Sequence, residues 1–254
     1  MEKWKNKIAV ITGASSGIGL AILKDLAING ITVIGLARNV ETIEYFKNDL
    51  GEIKEKIFTR ACDVSNVDSL KESFDWIEKE FSCIHILINN AGILHNLSIL
   101  DSSDEVTEKI NSVISTNFTG AVHCARKAIA LMKNSNDYGL VVNINSIAGH
   151  NVYSGLNISN VYSPTKFALT AFSEILRQEL ITNGNDKIRV SNLSPGVVKT
   201  EIMVRGKIYP SKDTYNDVAH IFAEDISHGV LYLLSTPWNV NVSQITIKPL
   251  GERK

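Results

Sequence analysis

The sequence predicts an α/β fold: a single Rossmann-type domain whose doubly wound parallel sheet of seven strands carries helices on both faces. Three observations predict it. Short runs rich in Val, Ile and Leu alternate with longer stretches of helical periodicity, the pattern of linked β-α-β units. A glycine-rich turn, Thr12-Gly13-Ala14-Ser15-Ser16-Gly17-Ile18-Gly19, joins the first such run to the first helical stretch. The alternation runs from residue 7 to about 247 with no repeat, low-complexity tract or Pro/Ser-rich linker. Residues 1–254 are therefore expected to form one domain.

Residues 7–12 (KIAVIT) read as a strand buried on both faces, followed by the glycine turn and a helix to about residue 29. Residues 31–36 (ITVIGL) and 56–61 (KIFTRA) give strands two and three, with a helix over 40–50 between them. A helix over 66–81 leads to a fourth strand at 84–89 (IHILIN). A long helical stretch over 103–133 precedes a fifth strand at 140–145 (LVVNIN). A helix over 161–182 follows, with Pro164 in its first turn, where a missing N–H costs nothing. A sixth strand at 188–193 (IRVSNL), a helix over 214–235 and a seventh strand at 243–247 (SQITI) complete the pattern. The stretches 103–133 and 161–182 carry apolar residues on more than one face, among them Ile114, Phe118, Phe167, Phe172 and Ile175. One face packs on the sheet; the second is expected to bury against another copy of the chain, as a homodimer or homotetramer.

Composition excludes several classes of function. With 26 Lys+Arg against 27 Asp+Glu the net charge is −1, which gives no broad electrostatic footprint for nucleic acid or an anionic membrane. Three separated cysteines (Cys62, Cys83, Cys124) contain no CxxC pair and supply neither a disulfide framework nor a cysteine-rich zinc module. Only a four-residue apolar run, Ile8 to Ile11, precedes Thr12, short of a secretory or membrane-spanning segment. The expectation is a cytoplasmic, reduced protein with no membrane span and no metal.

The glycine turn points to a dinucleotide. Gly13 lets the chain turn, while Gly17 and Gly19 remove side chains where backbone approaches a ligand or the sheet. The helix that follows offers free N–H groups and a positive dipole end to a pyrophosphate, past Ser15, Ser16 and Ile18. The second strand runs into Leu36-Ala37-Arg38-Asn39. An NAD-selective site wants a carboxylate there for the adenosine ribose. Ala37 supplies none, and Arg38 suits a 2′-phosphate, so NADP is expected over NAD, with NAD still possible. Cys62-Asp63-Val64 follows the third strand, where Asp63 accepts from an adenine amino group, or else Asp63 or Ser65 caps the next helix. Asn89-Asn90-Ala91-Gly92 ends the fourth, two amides to hold the central sheet and small residues to let a ribose approach.

Four further residues carry a reaction. Tyr162 and Lys166 stand four apart at the start of a helix and share a face. Ser146 follows the fifth strand, and Asn117 lies within the long helical stretch, where it either kinks the helix or holds a water. Hydride transfer at an alcohol carbon needs a proton to leave the oxygen at nearly the same moment. A free phenol, at about pKa 10, is a poor base at neutral pH. A neighbouring ammonium and a positive nicotinamide are expected to lower it, and Ser146 to donate to the substrate oxygen.

Together, TGASSGIG at 12–19, CDV at 62–64, NNAG at 89–92, Asn117, Ser146, Tyr162-xxx-Lys166 and Pro195-Gly196 resemble the short-chain dehydrogenase/reductase family across essentially the whole chain. The resemblance implies Tyr162 as catalytic acid/base and Lys166 as nicotinamide-ribose ligand and modulator of the phenol. It implies Ser146 as donor to the substrate oxygen and Asn117 as anchor of a proton relay. Ser15, Ile18, Arg38, Asp63, Val64 and Asn89 would contact the adenine half of the cofactor; Val197 and Thr200, after Pro195-Gly196, would meet the carboxamide. The 16-residue interval from Ser146 to Tyr162, longer than the family's commonest arrangement, GLAR at 35–38, SIAGH at 146–150 and a short tail after SQITIKP are similar to insect farnesol dehydrogenase-like enzymes and their vertebrate steroid- and carbonyl-reducing relatives. The expected substrate is a lipophilic alcohol or carbonyl, a terpenoid first and a steroid second, between walls at 152–158 and 203–209. A nucleotide-bound regulator without chemistry would be the rival, but it could dispense with all four catalytic residues.

Overall fold

The computed structural model describes residues 1–48, 50–152 and 160–252. Seven strands form one sheet: β1 (Ile8–Thr12), β2 (Thr32–Ala37), β3 (Ile57–Ala61), β4 (Ile86–Asn89), β5 (Gly139–Ile144), β6 (Ile188–Pro195) and β7 (Gln244–Ile247). Their order is β3-β2-β1-β4-β5-β6-β7, every pair parallel, with Ile11 opposite both Gly35 and Ile88 at the centre. The chain builds outward from β1 to one edge, then returns beside β1 and builds to the other. That reversal puts a crevice at the carboxyl ends of β1 and β4, the general ligand position in such sheets.

Alternation along the strands feeds two cores. Ala9, Ile11, Ile86 and Ile88 face a layer that includes Ile22, Leu23 and Leu26 of α1 (Gly17–Ile28) and Ile226 and Val230 of α8 (Ala223–Ser235). Val10 and Leu87 face the opposite layer, with Leu70, Phe74 and Ile77 of α3 (Val67–Phe81), Cys124, Ala125 and Ala128 of α5 (Gly120–Ser135) and Leu180 of α6 (Tyr162–Thr182). All eight residues of β6 are buried, as a strand covered on both faces must be. Each such aliphatic side chain contributes about 1.5–3 kcal/mol on enclosure.

Two elements depart from the sequence expectation. The stretch 103–133 is not one regular helix: α4 (Asp104–Ile114) passes through a π turn at Ser115–Thr119 before α5 begins. Asn117 lies in that turn, buried, with its amide committed to another segment, so the helix widens around it. The helix expected over 214–235 starts only at Ala223. Lys212–Asp217 forms a 3-10 turn instead, and Ile221 bridges to Val198. Buried Tyr215 decides this, because its hydroxyl donates to the Thr200 carbonyl at 3.1 Å and ties the turn to the loop after β6. Two short helices, α2 (Glu41–Lys47) and α7 (Ile202–Arg205), complete the order.

On α4 and α6 the outer face keeps Ile114, Phe167 and Ile175 exposed. Among the described residues no helix is long and apolar enough to cross a membrane.

Candidate active site

The glycine turn sits at the carboxyl end of β1. Gly13 and Gly17 have φ of +65° and +52°, a region costly for any side chain, so glycine is required at both. Ser16 precedes α1 without capping it, which leaves the first N–H groups of the helix available to a ligand. The turn is clamped from β4's end: Asn90 Nδ2 donates to the carbonyls of Thr12 (2.9 Å) and Gly13 (3.1 Å). The Thr12 hydroxyl, in turn, accepts the N–H groups of Asn90 and Ala91, both at 3.0 Å. A Cβ on Gly19 would lie 2.4 Å from the Gly13 carbonyl oxygen and 2.5 Å from Asn90 Nδ2. Gly19→Ala is therefore expected to destabilise the protein by about 2 kcal/mol or more. Gly92→Ala, whose Cβ would meet Asn117 Oδ1 at 3.6 Å, Asn90 O at 3.8 Å and Lys166 Nζ at 3.9 Å, all ordinary contacts, should leave the melting temperature nearly unchanged. Thermal melts of the two variants without added ligand make the comparison.

Residues read as the adenine side fall into two groups. Arg38 is exposed beyond β2. Asn39 Oδ1 accepts the Glu41 N–H at 2.8 Å, closing a turn just before α2. Asp63 Oδ1 takes the Ser65 N–H (2.9 Å) and hydroxyl (2.6 Å). The expectation that Asp63 or Ser65 caps the next helix is corrected, because Asn66 does so, accepting from Ser69 N–H at 2.9 Å. Asn89 points into the protein: its amide donates to Ala121 O (3.0 Å) and Asn143 Oδ1 (2.9 Å), joining β4, β5 and α5. Val64 is buried in the core beneath this edge.

Ser146, Tyr162, Lys166 and Asn117 come together across the ends of β4 and β5. Ser146 Oγ accepts the Ala148 N–H at 3.1 Å, fixing the turn after β5, and its side chain favours ionisation of the Tyr162 phenol. Asn145 Nδ2 donates to Thr170 Oγ1 (2.7 Å), which itself donates to Gly149 O (3.0 Å); these bonds hold that turn on α6. Lys166 Nζ lies 5.6 Å from the Tyr162 ring centroid and donates to the Ile144 carbonyl at 2.9 Å. Asn117 Oδ1 accepts the Ile93 N–H and its Nδ2 donates to Ile93 O, both at 2.8 Å, with Thr165 Oγ1 at 3.3 Å. Asn117 thus sits in an irregular stretch of the helix, as expected of a kinking polar residue, and Gly92 lies between it and Lys166.

The electrostatics correct one expectation. Burial pushes the Tyr162 phenol up, to about 12, and the Ser146 side chain opposes this only in part. The protein's own ammonium does not bring it down. Burial also lowers Lys166, to about 8, so at neutral pH it remains largely charged but desolvated.

Pro195 ends β6, and the N–H of Gly196, which follows it, donates to Ile247 O at 2.8 Å. Thr200 faces the glycine turn, since a Cβ on Gly17 would lie 3.1 Å from its Cγ2. Residues 203–209 pack on the segment after Gly92: Asn96 N–H donates to Gly206 O at 2.9 Å. Of the other expected wall, Val152 is exposed, and 153–158 lie outside the described residues. Sequence reasoning passed over Thr165, Thr170 and the pair His150 Nε2 and Ser194 Oγ at 2.7 Å, which brace the site from α6 and β6. No local spacing signals them.

An uncapped helix N-terminus, two positive-φ glycines and a small-residue β4 end make a cradle suited to a dinucleotide pyrophosphate and ribose. The residues present fit such a cofactor. Comparison with known proteins agrees: the family model for short chain dehydrogenases matches residues 7–207. The chain is 42% identical over 254 residues to a farnesol dehydrogenase of Aedes aegypti, covering 100% of both. It is 35% identical to human dehydrogenase/reductase SDR family member 11, over 98% of this chain and 96% of that one. Among solved structures, a serine dehydrogenase complexed with NADP+ superposes with a TM-score of 0.83 at 30% identity, covering 94% of each chain. An alcohol dehydrogenase of Thermococcus sibiricus complexed with 5-hydroxy-NADP gives 0.84 at 25% identity, over 98% of this chain and 99% of that one.

Proposed function

This chain belongs to the short-chain dehydrogenase family, and from that premise we propose that it is an NADP-dependent oxidoreductase interconverting a lipophilic alcohol, a terpenoid first, with its aldehyde or ketone. The enzyme class, an alcohol dehydrogenase or carbonyl reductase of the short-chain type, follows from the family. The observation that carries the reaction is the grouping of Ser146, which favours ionisation of the Tyr162 phenol, with the Lys166 ammonium 5.6 Å from that ring. When bound, the dinucleotide exchanges the hydride. The chain's own residues do the rest. The glycine turn and the α1 N-terminus hold the pyrophosphate, and Lys166 holds the nicotinamide ribose. Ser146 donates to the substrate oxygen. Tyr162 gives that oxygen a proton in reduction and takes it back in oxidation. Asn117, fixed by Ile93 and beside Lys166, anchors the route by which the proton reaches solvent.

The terpenoid reading is supported by the likeness to the mosquito farnesol dehydrogenase. A screen with NADPH and NADP+ across isoprenoid, steroid and short aliphatic alcohols and carbonyls tests it. Highest kcat/KM on an isoprenoid is expected; a preference for short aliphatics would overturn it.

NADP selection rests on Arg38, exposed at the end of β2 where Ala37 offers no carboxylate. Arg38→Ala is expected to raise the KM for NADP about 10-fold or more, as losing a charge-assisted phosphate contact should, and to change that for NAD little. Equal effects on both cofactors would remove the argument. The exposed Ile114, Phe167 and Ile175 support self-association through α4 and α6. Cys62, Cys83 and Cys124, all free, suit a reducing cytoplasm.

A further inference from the structure

We infer that Glu252 is a positioning residue for the nicotinamide end of the cofactor, acting through the backbone of Gly196 and Val197. The inference rests on the reading above that the loop after β6 meets the carboxamide. Glu252 is far from that loop in sequence, yet its side chain is only 8% exposed. Oε1 accepts the Val197 N–H at 3.0 Å. A Cβ on Gly196 would fall 2.7 Å from Oε1 and 2.8 Å from Oε2, so the carboxylate lies directly against the glycine. Oε2 faces the Lys248 ammonium at 3.3 Å, an ion-pair contact. The tail is folded to make this possible, because Glu252 N–H donates to Pro249 O at 3.1 Å.

An enclosed carboxylate is costly unless hydrogen-bonded and paired, and glutamate is ordinarily a surface residue. Here the bond goes to the main chain of the cofactor loop. Val197 is held from both sides: its carbonyl accepts the Ile221 N–H at 3.0 Å, and its amide is held by Glu252. With the Gly196 N–H on Ile247 O, the loop's peptide planes are fixed from β7 and the tail before any ligand arrives. Removing the carboxylate leaves one amide without its acceptor and one peptide plane free to rotate. A loop preorganised in this way spares the cofactor the cost of ordering it.

The test measures binding of two ligands, NADPH and 2′-phospho-ADP-ribose, to wild type, Glu252→Ala and Glu252→Gln, with thermal melts of each protein. The second ligand keeps the adenine half and lacks nicotinamide. Glu252→Ala is expected to weaken NADPH about 10-fold, the worth of one charge-assisted hydrogen bond, and the fragment less than about 2-fold. Glu252→Gln, which keeps an acceptor for Val197, should recover most of the loss. If Glu252→Ala does not fold, Glu252→Asp serves in its place, with the same selectivity for NADPH expected. Variants that bind both ligands as wild type does, or that lose both in parallel with a lowered melting temperature, overturn the inference. Wild-type protein that binds neither ligand overturns the cofactor reading as well.

Discussion

Tyr162→Phe is expected to lower kcat by about 10³-fold or more while leaving the dissociation constant of NADPH within a few-fold. In the proposed reaction the phenol oxygen exchanges a proton with the substrate, and general acid–base catalysis supplies about 10²–10⁴-fold. Phenylalanine keeps the ring against Lys166 and the packing of α6, so binding and fold should survive. Stopped assays in both directions, beside a fluorescence titration of NADPH, separate the two effects. A variant with most of its rate would show that the proton travels by another route. The same phenol sets the pH dependence. Because burial holds it near 12 in the protein by itself, it is protonated at neutral pH and ready as an acid. Reduction should be near its maximum around pH 7 and fall at alkaline pH. Oxidation should rise with pH as the phenolate becomes available, its midpoint lying below 12 by the amount that the positive nicotinamide contributes. Oxidation that falls as pH rises from 7 to 9 would contradict this assignment.

Lys166→Met is expected to lower kcat by about 100-fold or more and yet leave the protein no less stable at pH 7. The lysine is 4% exposed, and burial lowers it from 10.5 to about 8. Below pH 8 both folded and unfolded chains carry the proton, and the folded state bears the full cost of an enclosed ammonium. Between 8 and 10.5 the folded state releases the proton while the unfolded state keeps it, so stability rises with pH over that window. The whole shift corresponds to about 3 kcal/mol. Methionine removes that cost but leaves the Ile144 carbonyl without its donor, a loss of about 1–3 kcal/mol that offsets it. Denaturant unfolding of both proteins at pH 8 and 9.5 reads the difference before Tyr162 intervenes. That phenol, raised in the fold, contributes stability up to pH 10 that is lost between 10 and 12. Wild type should gain about 2 kcal/mol on the variant from pH 8 to 9.5. Parallel curves would mean that the ammonium is not enclosed, and its catalytic role would need another basis.

Periodicity and side-chain chemistry determined the seven parallel strands and the glycine turn, and the proposed set Asn117, Ser146, Tyr162 and Lys166 was read from spacing together with the family resemblance. These are local signals: a β-branched run buries on both faces, positive φ demands glycine, and a spacing of four residues puts two side chains on one helix face. The tertiary structure decided what depends on residues far apart in the chain. The π turn at Ser115–Thr119 exists because Asn117 bonds to Ile93. The late start of α8 follows from Tyr215 reaching Thr200. Glu252 meets Val197 only because β6 and β7 pair with Pro195 opposite Ile247. The phenol's resting charge was likewise undecided by the motif: an i,i+4 spacing gives a neighbour, but how deeply the pair is enclosed determines whether desolvation or attraction wins, and here desolvation does.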